Sequence, residues 1–266
     1  MKPPSALSPA DAQALRGVCF DLDDTLLDHG RLTVAALDAL YRLRDAGLIL
    51  IGATGRPAAW GQALARQWPV AGMVTENGII ALVQRNGRVE LLDRVGADER
   101  RARREQVAAL VSELRTHFPE LEPSDDVMGR IADYSFDIAE SHAVPEQTVL
   151  AVADLARERG ARVVRSSIQL HVSFDSDDKA SGVVRLLALE HGIDPSAATW
   201  RVAFVGDSEN DASCFAAFHH SFGVANLAGR PSLLPRYRAR APRSAGFVEI
   251  ADVLLAARRG ARALGN

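Results

Sequence analysis

The sequence predicts an α/β fold: a doubly wound parallel sheet carrying an inserted, smaller α+β unit. Three observations carry this reading. Short apolar runs alternate with helix-period segments at both ends of the chain. Three of those runs end abruptly in polar clusters, two of them rich in acids. The middle of the chain changes rhythm and shows a hairpin signal instead.

The segment up to about Ala14 is rich in Pro, Ser and Ala and reads as loose. Gly17 to Leu22 is a buried strand that runs into acids. Thr33 to Ala46 carries Ala36, Leu37, Leu40 and Leu43 at helical spacing, with Thr33 as N-cap and Gly47 just past the end. Leu48 to Ala53 is a second buried strand, Ala58 to Gln67 a helix and Gly72 to Thr75 a third strand. Ile79 to Val83 and Val89 to Val95 are strand-like runs around Asn86-Gly87, a hairpin turn. Ala97 to Phe118 is a helix with Val107, Leu110, Val111 and Leu114 on one face and a solvated arginine cluster on another. Ala132 to Ala139 alternates loosely, Pro145 to Arg159 is helical, and Ala161 to Val164 and Ile168 to Phe174 are strands. The first rhythm resumes with a helix from Lys179 to His191, a strand at Val202 to Gly206, a helix from Ser208 to Phe218 and a strand at Phe222 to Ala225. Arg258 to Asn266 reads as a frayed tail. The domain boundaries that follow are 15–80 and 174–257 for the α/β core and 81–173 for the insert.

Composition excludes several classes. The 266 residues are 47% hydrophobic and 24% charged, ordinary for a globular protein able to bury a core. A net charge of −3 gives no general attraction to nucleic acid or anionic lipid. Cys19 and Cys214 are too few for a disulfide framework and sit in apolar runs, as buried thiols of a reducing compartment do. No apolar run reaches the ~18 residues of a membrane span, and the N-terminus lacks a signal-peptide core. The expectation is a cytoplasmic protein, monomeric or weakly homo-oligomeric, with a small-molecule partner and no nucleic acid or membrane. Lysine occurs only at Lys2 and Lys179, against 31 basic residues in all. A lysine kept in the interior of so arginine-rich a chain points to a need for a compact ammonium.

The strand ends give Asp21-Leu22-Asp23-Asp24-Thr25, Thr54-Gly55-Arg56 and Gly206-Asp207-Ser208-Glu209-Asn210-Asp211. Ligands bind outside the carboxyl ends of strands in open parallel sheets. These segments and Lys179 are therefore expected in one crevice. Clustered carboxylates need positive charge nearby, or several become protonated. Lys179 supplies one charge, and a hard divalent cation with oxygen ligands, Mg²⁺, is the natural second. Zinc-type clusters, a P-loop and a dinucleotide fingerprint are absent.

Asp21-Leu22-Asp23-Asp24-Thr25-Leu26, Thr54, Lys179 and Gly206 to Asp211 resemble the four motifs of the haloacid dehalogenase (HAD) superfamily, in order, 33, 125 and 28 residues apart. The long second gap resembles subclass IIB, where a cap domain is inserted between the second and third motifs, as in Cof-type, sucrose-phosphate and mannosyl-phosphoglycerate phosphatases and phosphomannomutase. Glu76-Asn77-Gly78 also looks like that branch; Asp24 departs from it, standing where many members have glycine.

The resemblance implies a HAD-like Rossmann core with a cap, and a Mg²⁺-dependent phosphatase. Asp21 would be the nucleophile that forms an aspartyl-phosphate, and Asp23 the acid and base, protonated at the start. Asp21, the Asp23 carbonyl, Asp207 and Asp211 would hold or border the metal, and Thr54, Gly55, Arg56, Lys179 and Asn210 the substrate, Asn210 by gripping phosphate or steadying Lys179. Thr25 is a turn residue or a phosphate contact; Asp24 and Glu209 face solvent or support the site. Cap candidates for reading the substrate are Arg130, Asp133, Ser166, Ser167 and His171. A phosphorylated sugar or polyol is the expected substrate, with a phosphomutase and a non-catalytic sugar-phosphate sensor as alternatives.

Overall fold

The computed structural model describes residues 1–227 and 231–263. The chain runs through α1 (Pro9–Ala14), β1 (Gly17–Phe20), α2 (Val34–Asp45), β2 (Ile49–Ala53), α3 (Ala58–Gln67) and β3 (Gly72–Thr75), then a hairpin of β4 (Ile80–Arg85) and β5 (Arg88–Asp93). A second unit follows: α4 (Ala97–His117), β6 (Tyr134–Asp137), α5 (Glu146–Glu158), β7 (Arg162–Arg165) and β8 (Gln169–Ser173). The chain then continues through α6 (Lys179–His191), α7 (Pro195–Arg201), β9 (Val202–Gly206), α8 (Ala212–Ala217), β10 (His220–Gly223), β11 (Tyr237–Arg238) and α9 (Arg243–Ala263).

Among the described residues the larger sheet has eight strands in the order β11-β10-β9-β1-β2-β3-β4-β5. It is parallel from β11 to β3. β1, β3 and β9 are buried along their whole length, and β2 all but its first residue, which is why they read as unbroken apolar runs. β1 lies between β2 and β9, so the strand order reverses there and a crevice opens at the carboxyl ends. Local signals set the joints. Thr33 Oγ1 caps α2 by accepting the Ala36 N–H at 3.2 Å. Asn86 and Gly87 take φ of 49° and 75°, the conformation a two-residue hairpin turn demands.

Four expectations are corrected. The hairpin β4-β5, placed in the insert by a boundary at Ala81, pairs antiparallel with β3 and extends the large sheet. Ile80, Ala81, Leu82 and Val83 are all buried, the mark of a strand covered on both faces. The N-terminal segment is not loose: Ser8 caps α1, Leu7, Ala12 and Leu15 are buried, and Lys2 bridges to Tyr237. The tail is not frayed from Arg258: α9 runs to Ala263, and Arg258 donates to the carbonyls of Ala12 and Leu15 at 2.8 Å. The last three residues of that expected tail, 264–266, lie outside the described residues. The expected helix from Ser208 also divides, into a tight turn at Glu209–Asp211 and α8.

The smaller sheet, β6-β8-β7, is antiparallel. With α4 and α5 it encloses its own apolar core, including Val107, Leu114, Phe136, Val152, Leu170 and Val172. One edge of this unit, from Asp126 to Asp133, lies against the crevice of the large sheet through hydrogen bonds described next.

Candidate active site

Asp21 follows the last residue of β1, and its N–H donates to the Val205 carbonyl at 2.9 Å. The backbone then turns sharply: Asp24 adopts φ 56°, a left-handed conformation that Asp tolerates and glycine prefers. The Asp24 carboxylate is held by Arg243 Nε at 2.8 Å, which suits a supporting residue. Asp207 and Asp211 come from the loop after β9, and Lys179 opens α6.

Lys179 stands at a helix N-terminus, where the dipole disfavours a cation. Two carboxylates offset this: Nζ lies 2.6 Å from Asp21 Oδ1 and 2.7 Å from Asp211 Oδ1. Gly78 makes the placement possible. Its φ is 109°, and a Cβ there would lie 1.9 Å from the Asp178 carbonyl oxygen, so only glycine lets α6 come this close.

Asp21, Asp207 and Asp211 offer oxygens that all lie within 4.8 Å of one another, and all three residues are buried. Three carboxylates around one ammonium leave surplus negative charge. Burial pushes Asp21 up to about 8, with Asp211 and Asp23 adding to it and Lys179 opposing it. Asp207 is raised well above the ordinary carboxylate range, by burial and then by Asp21 and Asp211. Lys179 is shifted upward by the same two acids despite its burial, so it is the charged member of the cluster. An all-oxygen donor set with excess negative charge fits a hard divalent cation. Asp211 differs from the other two. Its Oδ2 accepts the Asp207 and Ser208 N–H groups at 2.9 and 3.2 Å while Oδ1 holds Lys179, so both oxygens already brace the motif.

The remaining motif residues take more varied places. Thr25 lies in the turn after β1, and its hydroxyl donates to Asp207 Oδ1 at 3.1 Å. Thr54 Oγ1 accepts the Arg56 N–H at 3.0 Å at the end of β2. Asn210 does not steady Lys179. It bridges Ser208 and Asn77, its Oδ1 accepting at 2.7 Å and its Nδ2 donating at 3.3 Å. Glu209 holds Ser232.

Arg56 departs most from a substrate contact. Its guanidinium grips both oxygens of Asp23, at 2.9 and 3.0 Å, and also reaches Asp126 at 3.0 Å and Glu140 at 2.7 Å. It also stacks over the Trp60 ring. The neighbour of the Asp23 carboxylate is therefore a guanidinium from the core that is shared with the cap.

Of the cap candidates, Ser166, Ser167 and His171 line the crevice together with Asp21, Asp23 and Gly55. Arg130 and Asp133 form a buried network beside it. Arg130 Nη1 donates to the Gly55 carbonyl and to Asp133, both at 2.9 Å, and Nη2 to Asp126 and Gln169. Glu76, which the sequence reading gave no role, closes this contact. Its buried carboxylate accepts N–H groups from Ile131, Ala132 and Asp133 at 2.7–3.0 Å and from Ala58 at 3.1 Å. Burial, then Asp133, pushes Glu76 up to about 7 against Arg130 and those donors. Asn77 was likewise given no role, and Asp126, Glu140 and Gln169 were missed, since none of these three lies in a spacing that carries a recognisable chemistry.

The cavity beneath the lid is about 10 Å³, room for one water and not for a phosphate ester. A space of about 290 Å³ bordered by Asp23, His29, Arg56 and Glu140 adjoins it. A groove of about 960 Å³ beside α4 holds none of the motif residues.

Comparison with known proteins agrees with this geometry. The family model described as haloacid dehalogenase-like hydrolase matches residues 18–101. A phosphoglycolate phosphatase of Methanospirillum hungatei is 25% identical over 238 residues, covering 89% of this chain and 95% of the relative. Another, of Aeropyrum pernix, is 26% identical over 272 aligned positions, covering 95% and 97%. Among solved structures, a Thermoplasma acidophilum protein superposes with TM-score 0.71 at 16% identity, covering 90% of this chain and 98% of its own. The sucrose-phosphatase of Synechocystis, solved with sucrose and phosphate, superposes with TM-score 0.60 at 17% identity and the same coverage. At such identities the structural likeness speaks for the fold.

Proposed function

We propose that this chain, a haloacid dehalogenase-like hydrolase and a phosphatase, hydrolyses a small hydroxyl-bearing phosphate monoester, a sugar or polyol phosphate, through an aspartyl-phosphate on Asp21. The observation that carries the reading is the placement of Asp21. One of its oxygens is tied to Lys179 at 2.6 Å, beside Asp207 and beneath a polar lid. Such a carboxylate is pinned in orientation at the lining of the crevice, as a nucleophile requires.

The residues divide the work. Asp21 attacks phosphorus and Lys179 neutralises charge on the phosphoryl oxygens. The Thr54 hydroxyl, already accepting one bond, keeps its hydrogen for a phosphoryl oxygen. Asp21, the Asp23 carbonyl and Asp207 would hold Mg²⁺, with Asp211 behind them; the ion would supply Lewis-acid neutralisation of the transferring group. Asp23 would protonate the leaving oxygen and then activate water. It cannot do so while Arg56 grips both its oxygens. Arg56 is shared with Asp126 and Glu140, so lifting the lid and releasing Asp23 form one event in this reading.

A second reading, phosphoglycolate as substrate, is favoured by the names of the two relatives above. Against it, the cation bordering the cavity, Arg56, is committed to three carboxylates, and the lid residues facing it are neutral. A cytoplasmic, monomeric or weakly oligomeric enzyme acting on a small metabolite completes the proposal; among the described residues no helix is long and apolar enough to cross a membrane.

The test is phosphate release from a panel of phosphorylated sugars, polyols and phosphoglycolate, with Mg²⁺ and with excess chelator. Mg²⁺-dependent release from several sugar phosphates is expected. Isomerisation without release would favour a mutase, and release in chelator would refute the metal assignment.

A further inference from the structure

His171 lies on β8 with its ring over Gly55; a Cβ on Gly55 would sit 3.1 Å from His171 Nε2, so the glycine leaves room for the imidazole edge. The side chain is 2% exposed and shares the crevice lining with Asp21 and Asp23. Nδ1 lies 3.1 Å from Asp133 Oδ2. Nε2 is buried and has no hydrogen-bond partner among the described residues. A buried polar atom left unpaired costs about 1–3 kcal/mol, and this one belongs to a residue that lines the crevice, where a ligand group can pair with it.

The neighbours decide which kind of ligand. An ionised carboxylate only accepts, so the hydrogen between Asp133 and His171 belongs to Nδ1. Arg130 Nη1 also approaches Nδ1, at 3.4 Å, but its two hydrogens are directed to Gly55 O and Asp133, both at 2.9 Å. Asp133 is kept charged: despite its burial, Arg130 and then His171 hold it below the usual carboxylate range. Burial, followed by the Arg130 charge, keeps the imidazole below its ordinary value against the pull of Asp133, so the ring is neutral near pH 7. Nδ1–H with a neutral ring leaves Nε2 a bare acceptor.

We infer that His171 Nε2 accepts a hydrogen bond from a hydroxyl of the leaving group, and that the Arg130–Asp133–His171 chain makes the cap select an alcohol over a carboxylate. The inference rests on the phosphatase reading above and adds the group that reads the substrate. His171 is a specificity residue, with Asp133 and Arg130 as its positioning residues. A carboxylate offered to this edge meets a lone pair and finds no uncommitted cation in the cavity lining.

The experiment compares glycerol 3-phosphate, propyl phosphate and 2-phosphoglycolate with the full chain and Mg²⁺. His171→Asn retains a donor toward Asp133 and removes the Nε2 position; His171→Gln retains a polar atom near it. We expect His171→Asn to lower kcat/KM for glycerol 3-phosphate about 10–100-fold, mostly through KM, with a far smaller loss for propyl phosphate. His171→Gln should recover part of that loss. Equal losses on all three esters, no loss on any, or a wild type that prefers 2-phosphoglycolate and loses that preference in His171→Asn would overturn the inference. Nitrogen-15 NMR of labelled histidine supplies a readout independent of turnover. Nδ1–H with a bare Nε2 is expected, and an Nε2–H tautomer would refute the inference while leaving the phosphatase reading intact. Phosphate release from none of the esters or sugar phosphates would break the phosphatase reading, and this inference with it.

Discussion

On the core side of the crevice, Asp21, Asp207 and Asp211 gather around one ammonium, and carboxylate charge is left over. On the cap side, Arg130 is held by several acceptors, Asp126 and Glu140 share Arg56 of the core, and the Nε2 of a neutral imidazole, like Arg130 Nε, has no partner among the described residues. The difference separates two tasks. Surplus charge on rigid strand ends suits a metal and a transferring phosphoryl group, where electrostatic stabilisation is worth most. A charge-satisfied lid with one spare acceptor suits discrimination among leaving groups, where unpaired polar atoms penalise the wrong ligand.

The comparison can be broken first on the core side. Asp21→Asn should cut turnover at least about 10³-fold, because it removes the proposed nucleophile. The same variant should melt no lower than the metal-free wild type, since it removes a buried charge that lacks full compensation. A low melting temperature would show Asp21 to be a structural partner of Lys179 instead. Chelation comes next: turnover should fall to background and return with Mg²⁺. The stability effect has a definite sign. Asp21 lies near 8 in the fold against about 3.8 when unfolded, so the folded metal-free protein binds the extra proton between those values and loses stability as pH rises through them. Mg²⁺ should therefore raise the melting temperature more at pH 8 than at pH 5; an equal rise would contradict the surplus-charge account. Lys179→Arg keeps the charge but replaces a compact ammonium, buried between two carboxylates, with a planar fork. A loss of roughly 10²-fold in kcat is expected, and a near-normal rate would show that any cation suffices.

The cap side gives the smallest effect. Glu76→Gln replaces a carboxylate that accepts four backbone N–H groups with an amide whose NH₂ must face some of them. The expected cost is about 1–3 kcal/mol in denaturant unfolding, with kcat changed far less. A large fall in kcat with unchanged stability would move Glu76 into the chemistry.

Legibility in the sequence follows the same division. Asp21, Thr54 and Asp207 sit at ends of buried strands, where an apolar run stopping in polar residues is visible in a few consecutive positions, so topology alone places them together; Lys179, at the start of α6, was singled out by its rarity. The hairpin β4-β5 was visible as a hairpin, but its sheet was not. Turn chemistry at Asn86-Gly87 is local, whereas partnership with β3 depends on burial of both faces, hinted at only by the unbroken run Ile79 to Val83. The long helix α9 carries Phe247, Ile250, Ala251, Leu254 and Leu255 at helical spacing, a signal present but masked by the arginine-rich end that follows. Arg56 was legible as a motif residue and not as the partner of Asp23, because Asp126 and Glu140 reach it from 70 and 84 residues away. Glu76 was legible as part of Glu76-Asn77-Gly78 but without a role; its burial depends on N–H groups of Ile131, Ala132 and Asp133 that no side-chain pattern reveals.

The central claim is that Asp21 carries the phosphoryl group. An acid-quenched single turnover with a ³²P-labelled ester that the wild type hydrolyses tests it most directly. The account predicts label bound to the protein, released by hydroxylamine as an acyl phosphate and mapped to the peptide containing Asp21, and no label in Asp21→Asn. Label on another residue, or turnover with no protein-bound label at any time, would contradict it.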